Sequence, residues 1–169
     1  MSSIFSKLFG GSNSKSKPPE RETQPLDYEK MILLDAESLA EQGFAEAYKN
    51  LLPELTKYVG HPAALEEVLD PDLPSYKVRC NGEEHQIYSS AESGTEDESW
   101  GRATYFFFRI VNSQLSGASV RFYAVNGGND LGGLFLTPEE SQSAQAALPR
   151  KSDWPYIPEL SAPWYGQYH

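Results

Sequence analysis

Cysteine and long hydrophobic runs are scarce in this chain. Cys80 is its single cysteine, which excludes an internal disulfide framework and any zinc site built from several cysteines. No apolar run approaches the roughly 20 residues that a transmembrane helix needs. We therefore expect a protein of a reducing compartment, the cytoplasm, with no transmembrane segment.

Basic residues are also in short supply. The chain has 14 Lys and Arg against 24 Asp and Glu, a formal net charge of −10 and a pI of about 4.7. Nucleic-acid binding needs basic surface, because cationic side chains displace the counterions of the phosphates. The charge argues against nucleic acid as a partner and favours a basic protein.

Sequence motifs of enzymes and cofactor sites are missing as well. There is no Walker-type phosphate loop, dinucleotide fingerprint, nucleophile elbow or paired-histidine motif. Cys80 and His85 lie on one predicted hairpin, but a nucleophilic cysteine also needs an orienting group, which the sequence does not indicate. The sequence therefore predicts no cofactor and no metal site, and it favours a non-enzymatic protein.

The first 25 residues are predicted to be a flexible segment, followed by a single α+β domain over residues 26–169. Residues 12–25 are polar and rich in proline, which is typical of a tether. A short amphipathic stretch precedes them, and it could dock weakly on a partner or a membrane surface. Its apolar residues are Ile4, Phe5, Leu8 and Phe9.

Residues 27–59 show the apolar periodicity of helices, with Gly43 separating two of them. A third helix is predicted to start near Pro62 and to turn Leu65 and Val68 inward. This half of the chain is expected to pack helices against a sheet.

An Asn81-Gly82 dipeptide between two alternating runs predicts a β-hairpin over residues 76–88. The two-residue turn sets the register of the paired strands. The expected pairs are Arg79–Glu84, Lys77–Gln86, Val78–His85 and Tyr76–Ile87. The acidic run that follows, residues 89–99, is expected to be a solvated loop.

The aromatic stretch from Trp100 to Thr137 is interpreted as the central sheet, with strands at 104–111, 120–125 and 133–136. Alternation then places Phe108 opposite Phe122 in the core. It also places Arg109 directly opposite Arg121, on a second aromatic face that includes Tyr123 and would need a neighbouring anion. The whole chain should therefore contain about five antiparallel strands.

The last third of the chain predicts one helix and an extended tail. Thr137 and Glu140 form a capping-box pattern, so a helix should run from there to about Leu148. The tail beyond it is rich in proline, tryptophan and tyrosine, which can seal the sheet or anchor a partner. Its candidate binding residues are Trp154, Tyr156, Trp164 and Tyr165.

Three functional hypotheses fit these patterns. The first is an acidic protein that binds a basic protein, as an inhibitor or immunity-type factor acts on an enzyme or toxin. The first 26 residues hold four basic and two acidic side chains, so the remainder carries a formal charge of −12. The second hypothesis is an anion-binding protein or enzyme using Arg109 and Arg121, and the third is a structural adaptor.

Overall fold

The computed structural model of this chain describes residues 24–169, which adopt an α+β fold, as predicted. All but the last two residues of the predicted flexible segment, including its apolar residues Ile4, Phe5, Leu8 and Phe9, lie outside the described residues.

The elements follow one another along the chain as a short strand, two helices, three strands, a long helix, two strands and a last helix. The helices are α1 (Ala36–Ser38), α2 (Phe44–Leu55), α3 (Ser99–Gln114) and α4 (Pro138–Ala147). The strands are β1 (Ile32–Leu33), β2 (Leu65–Asp70), β3 (Ser75–Cys80), β4 (Glu83–Ser89), β5 (Arg121–Val125) and β6 (Gly132–Leu136). Single 3-10 turns lie at Tyr28–Lys30, Gly128–Asp130 and Lys151–Asp153, and a π-turn joins α1 to α2 at Leu39–Gly43.

The described strands form two antiparallel sheets of three strands each, rather than one sheet of five. Their orders are β1-β6-β5 and β2-β3-β4. Helix α3 contacts both sheets, because its neighbours include β4 in one and β5 in the other. The helix therefore forms the centre of the core between the two sheets.

The predicted hairpin is present as β3 and β4, with the predicted register next to its turn. Arg79 pairs with Glu84, and Val78 with His85. Asn81 and Gly82 both have positive φ angles, 52° and 80°, as this tight turn requires. The prediction is wrong at the far end, where a bulge makes Tyr88 rather than Ile87 the partner of Tyr76.

The predicted strand at 104–111 is wrong, because these residues belong to α3. The exposed or half-buried side chains of the stretch recur every three or four residues, at Arg102, Tyr105, Arg109 and Asn112, which is the spacing of a helix. The helix is apolar on the rest of its circumference because both sheets cover it. No helix among residues 24–169 is both long enough and apolar enough to cross a membrane.

Phe108 and Phe122 are core neighbours, as predicted, but across a helix–strand contact. Both are almost fully buried, and their rings stack with centroids 4.7 Å apart. Phe135 of β6 lies against the same Phe122 ring at 4.7 Å. A Cβ atom on Gly133 would lie 2.1 Å from the Phe122 ring, so the ring fits only because that residue is glycine.

The helix predicted after Pro62 is also wrong, since Leu65 to Asp70 form the edge strand β2. Glu67 explains part of this placement: its carboxylate accepts hydrogen bonds from the backbone N–H of Ala45 at 3.0 Å and from the Tyr76 hydroxyl at 2.6 Å. These bonds tie the strand to the first turn of α2 and to β3. Tertiary contacts thus override a helical pattern of six residues.

The last helix and the tail agree with their predictions. Thr137 and Glu140 form a complete capping box at the start of α4, and the C-cap of this helix is Leu148. The tail then joins the free edge of β5, where Ala124 and Tyr156 exchange two backbone hydrogen bonds of 2.8 and 2.9 Å. This docking carries the tail to the N-terminal end of α3.

Candidate functional site

Trp100 is an exposed ring on the first turn of α3, directly after an acidic run. Its relative exposure is 41%, whereas Phe106, Phe107 and Phe108 on the same helix are buried. Glu96, Asp97 and Glu98 precede it and are all exposed. A large uncovered aromatic ring beside carboxylates is a combination found at binding surfaces.

Tyr165 anchors the tail against this end of α3. Its ring lies over Gly101, where an added Cβ atom would be only 2.1 Å from Cε2 of the tyrosine. Its hydroxyl donates a hydrogen bond of 3.1 Å to Oε2 of Glu98. Burial and this hydrogen bond raise the pKa of Tyr165 to about 12, so the hydroxyl stays protonated and continues to donate.

The docked tail and the start of α3 enclose a first cleft of about 480 Å³. Two exposed rings open onto it, Trp100 from the helix and Trp164 from the tail, with Trp164 at 52% exposure. The carboxylates of Asp97 and Glu98 lie on the same wall. The other lining residues are Ala36, Gly101, Thr104, Gly127, Gly128, Tyr156, Ala162, Pro163, Tyr165 and Gln167.

A second cleft, of about 510 Å³, also has Trp100 in its wall, so the indole separates the two. The second cleft adds two exposed carboxylates, Glu41 and Glu96. Its other lining residues are Ala40, Gln42, Pro74, Tyr88 and Ser99. Within residues 24–169, four carboxylates and no lysine or arginine line the pair, which we call the Trp100 clefts.

Arg102 is the nearest cation along α3, but it is engaged elsewhere. Its guanidinium group donates to the backbone carbonyls of Gln86 and Ile87 in β4, at 2.8–3.3 Å. It also lies over the ring of Phe106, 5.8 Å from the centroid. Arg102 therefore joins α3 to β4, and no other described lysine or arginine lies in the walls of the Trp100 clefts.

The structure brings together three of the predicted binding residues and separates the others. Tyr156, Trp164 and Tyr165 all line the first Trp100 cleft. Trp154 lies outside it, donating from its indole N–H to the carbonyl of Leu148 at 3.1 Å. Tyr123 is half-buried and packs against a hydrophobic cluster formed by Leu26, Val125, Leu134, Leu136 and Ala144.

The predicted pairing of Arg109 with Arg121 is wrong, because Arg109 lies in α3 and the strand partner of Arg121 is Leu136. The predicted anion beside Arg121 is also wrong, because backbone carbonyls take its place. Nη1 of Arg121 donates to three backbone carbonyls, those of Leu115, Ala118 and Val120, at 2.7–2.9 Å. Arg121 thus holds the turn between α3 and β5, and the two arginines form no shared anion clamp on a sheet face.

Trp100 is the site residue that sequence reasoning missed. It was placed at the start of a buried sheet, where a ring needs no functional explanation. The available signal was its position immediately after the run Glu96-Asp-Glu-Ser99, which favours a helix start at the surface over a central strand.

Comparison of the chain with protein-family models, with curated proteins and with solved structures found no match. The Trp100 clefts themselves are therefore the guide to function.

Proposed function

We propose that this chain is a non-enzymatic, cytoplasmic acidic protein that binds a basic protein partner through the Trp100 clefts. The observation that carries the proposal is the exposed indole of Trp100 between four carboxylates, with no lysine or arginine of residues 24–169 in the walls of either cleft. The partner class that suits it best is a basic enzyme or toxin, which the chain would inhibit.

The chemistry of the clefts favours arginine and lysine side chains. A guanidinium group over an indole face gains roughly 0.5–2 kcal/mol, depending on how far the pair is desolvated. The same group can donate two parallel hydrogen bonds to a carboxylate such as Asp97. A basic side chain in either cleft would thus meet both kinds of partner at once.

The charge of the chain supports the same class of partner at longer range. Residues 27–169 carry a formal charge of −12, which attracts a basic protein and repels polyanions. Such steering acts mainly on the association rate and weakens with salt, because the Debye length is only about 8 Å at physiological ionic strength. The association rate should therefore fall as salt is added. The dissociation rate should depend instead on the contacts of Trp100 that the bound partner buries.

A titration with a defined basic ligand tests the clefts directly. An arginine-rich peptide is added to the full chain, binding is followed by calorimetry, and a glutamate-rich peptide serves as the negative control. Trp100→Ala should weaken binding of the arginine peptide at least about tenfold, in the range of an aromatic hot spot. The matched control is Tyr28→Ala, because Tyr28 is a ring of similar exposure, 40%, outside both clefts.

A pair of double variants separates a specific site from attraction by net charge. Glu96→Gln with Asp97→Asn removes two cleft carboxylates. Glu29→Gln with Glu46→Gln removes two exposed carboxylates elsewhere and changes the net charge by the same amount. The cleft variant should lose much more affinity, whereas equal losses would mean that the clefts have no special part in binding.

The identity of the cellular partner requires a second experiment. The wild-type chain and Trp100→Ala are used side by side to capture proteins from the native cell at physiological salt. A basic protein retained by the wild type and lost with Trp100→Ala fits the proposal. If that protein is an enzyme or a toxin, its activity should fall when the wild-type chain is added and stay unchanged with the variant.

A further inference from the structure

A third cleft, of about 270 Å³, lies beside the second half of α3, where this helix meets the β3–β4 turn. It is separate from the Trp100 clefts and shares no residue with them. Its walls are polar and include both a guanidinium group and an imidazole. The lining residues are Cys80, Asn81, Glu83, His85, Arg109, Ile110 and Ser113.

Arg109 is unusual among the arginines of the described chain. Arg79, Arg102, Arg121 and Arg150 each donate hydrogen bonds to protein oxygens. Arg109 donates none within residues 24–169, and its closest carboxylate is Oε2 of Glu83, 3.8 Å from Nη2. Its planar group of five N–H donors is therefore available to a ligand in the cleft.

His85 is a buried polar side chain without a hydrogen-bond partner among the described residues. Only 7% of it is exposed, and the ring of Phe106 packs against it with centroids 5.0 Å apart. Its Nε2 lies 3.9 Å from Oε2 of Glu83, which is too long for a hydrogen bond. The imidazole lines the cleft, so a ligand there can approach a ring that no described residue hydrogen-bonds.

The Glu83 carboxylate lies near both the guanidinium group of Arg109 and the imidazole of His85. One oxygen of this carboxylate lies 3.8 Å from Arg109 and 3.9 Å from His85, just beyond the reach of both. The Glu83 side chain is 69% exposed, beside the hairpin turn, so it can swing into solvent at little cost. An oxyanion entering the cleft could replace it and approach both donors more closely.

We infer that this cleft binds a small oxyanion, the phosphate or carboxylate group of a small molecule, between Arg109 and His85. Arg109 supplies a paired donor from α3, His85 supplies a second donor from β4, and Ser113 and Asn81 add polar groups. The volume of about 270 Å³ is just under the range of drug-sized pockets, roughly 300–1,000 Å³, so the cleft has room for the oxyanion and part of the small molecule that carries it.

The protonation states agree with this inference. Burial and the charge of Arg109 lower the pKa of His85, and the weaker influence of Glu83 raises it. Burial raises the pKa of the Cys80 thiol, so the thiol is neutral and unsuited to act as a nucleophile. A bound oxyanion would raise the pKa of His85, so binding takes up a proton and strengthens as the pH falls.

A metal ion does not explain the cleft. Among residues 24–169, no group of three or more histidine, cysteine, aspartate and glutamate side chains could hold one. The guanidinium group of Arg109 in the wall of this cleft would repel a cation and attract an anion.

Inorganic phosphate and acetate are the probes that test this inference, each titrated into the full chain at constant ionic strength. The ring signals of His85 report binding by NMR, and the chain has only three histidines, so His85→Gln assigns them. We expect a saturable shift of the His85 signals with at least one probe. Tighter binding of phosphate would indicate a phosphorylated ligand, and tighter binding of acetate a carboxylate.

Three variants decide the outcome. Arg109→Gln should weaken the binding of the probe about tenfold, as expected for the loss of a charged hydrogen-bond donor. Glu83→Gln should tighten it several-fold, because the competing carboxylate is removed. Lys49→Gln is the matched control, an exposed cation with a similarly loose ion pair of 4.0 Å, and it should leave the binding of the probe unchanged.

Absence of a saturable shift up to about 50 mM of either probe would overturn the inference, since the affinity would be too weak to matter. Equal weakening by Arg109→Gln and Lys49→Gln would also overturn it, because it would indicate net charge alone. Should Arg109→Gln unfold, the Glu83→Gln titration decides: tighter binding supports the site and unchanged or weaker binding refutes it.

Discussion

The two halves of helix α3 present opposite chemistry. Trp100 at its start lies among carboxylates, whereas Arg109, nine residues later, faces a buried imidazole. That separation is about 14 Å along the helix axis. One helix thus divides a surface that we propose for a basic protein from a cleft that we infer to hold a small anion.

This comparison shows that hydrogen bonding, rather than charge alone, separates architectural from functional side chains. Arg102 and Arg121 are charged like Arg109, but each donates hydrogen bonds to backbone carbonyls. Arg109 makes no hydrogen bond within residues 24–169, and of the four carboxylates around Trp100 only Glu98 accepts one there, from the Tyr165 hydroxyl. Replacing a cleft side chain that has few hydrogen bonds should change the free energy of unfolding only slightly. Such a substitution is therefore expected to affect binding alone.

The largest expected effect comes from removing the core that both halves of α3 share. Phe122→Ala deletes a ring that stacks on Phe108 and touches Phe135, and the cavity should lower the free energy of unfolding by about 3–5 kcal/mol. Urea denaturation measures the loss. Leu33→Ala, at a side chain with 77% exposure, is the control and should change little.

A loss below about 1 kcal/mol for Phe122→Ala would show that α3 does not depend on β5 for its packing. The Trp100 clefts and the cleft of Arg109 and His85 would then not depend on one shared core.

The second prediction contrasts the two arginines. Arg121→Gln should destabilise the fold by about 1.5–3 kcal/mol, because the donor to three backbone carbonyls is lost. Arg109→Gln should change stability by less than about 0.5 kcal/mol, since it makes no hydrogen bond to the described chain. Thermal or urea unfolding of the two variants, compared at the same pH, gives both values.

If Arg109→Gln were as destabilising as Arg121→Gln, Arg109 would be a structural residue. The inferred anion cleft would then lose its main donor.

The third prediction disturbs only the Trp100 end of the helix. Gly101→Ala places a Cβ atom 2.1 Å from the ring of Tyr165, so the tail must shift. The overpacking outweighs the better helix propensity of alanine, and a net loss of about 1–2 kcal/mol is expected. Gly117→Ala is the control, because a Cβ atom there would meet nothing within 4 Å.

Binding measurements show whether this damage stays local. Gly101→Ala should weaken the binding of the arginine-rich peptide and leave the phosphate-dependent shift of the His85 NMR signals unchanged. Loss of both would indicate that the two halves of α3 are coupled.

The elements that could be predicted from the sequence are those fixed by local chemistry. Asn81-Gly82 determines the β3–β4 turn, and Thr137 with Glu140 determines the start of α4. These signals lie within four residues and depend little on the rest of the fold. The tail was also predicted, since its prolines and rings suit an extended, docked segment.

The elements that could not be predicted depend on distant contacts. In α3 the run 103–111 is covered by two sheets and is apolar at all but Thr104 and Arg109, so few polar positions mark the helical spacing and an alternating strand fits the run equally well. Strand β2 has a helical pattern, but pairing with β3 and the bonds of Glu67 determine its form. The predicted pairing of Arg109 with Arg121 failed for the same reason: it assumed that both residues lie on strands, whereas Arg109 lies in α3.

The smallest expected effect is a pH dependence of stability that His85 confers. Because its pKa is lowered in the folded chain below the ordinary value of 6.5, the unfolded chain binds the proton more readily. The free energy of unfolding should therefore be nearly constant above pH 6.5 and should fall as the pH drops through 6.5 towards the folded pKa. Urea unfolding at pH 7.5 and 6.0 measures how much the free energy of unfolding changes with pH.

His85→Gln should reduce this pH dependence. Arg109→Gln should also reduce it, because Arg109 contributes to the lowered pKa of His85. Glu83→Gln should increase it, because the charge that raises the pKa is removed. An unchanged pH dependence in His85→Gln would mean that the imidazole is not held neutral in the cleft.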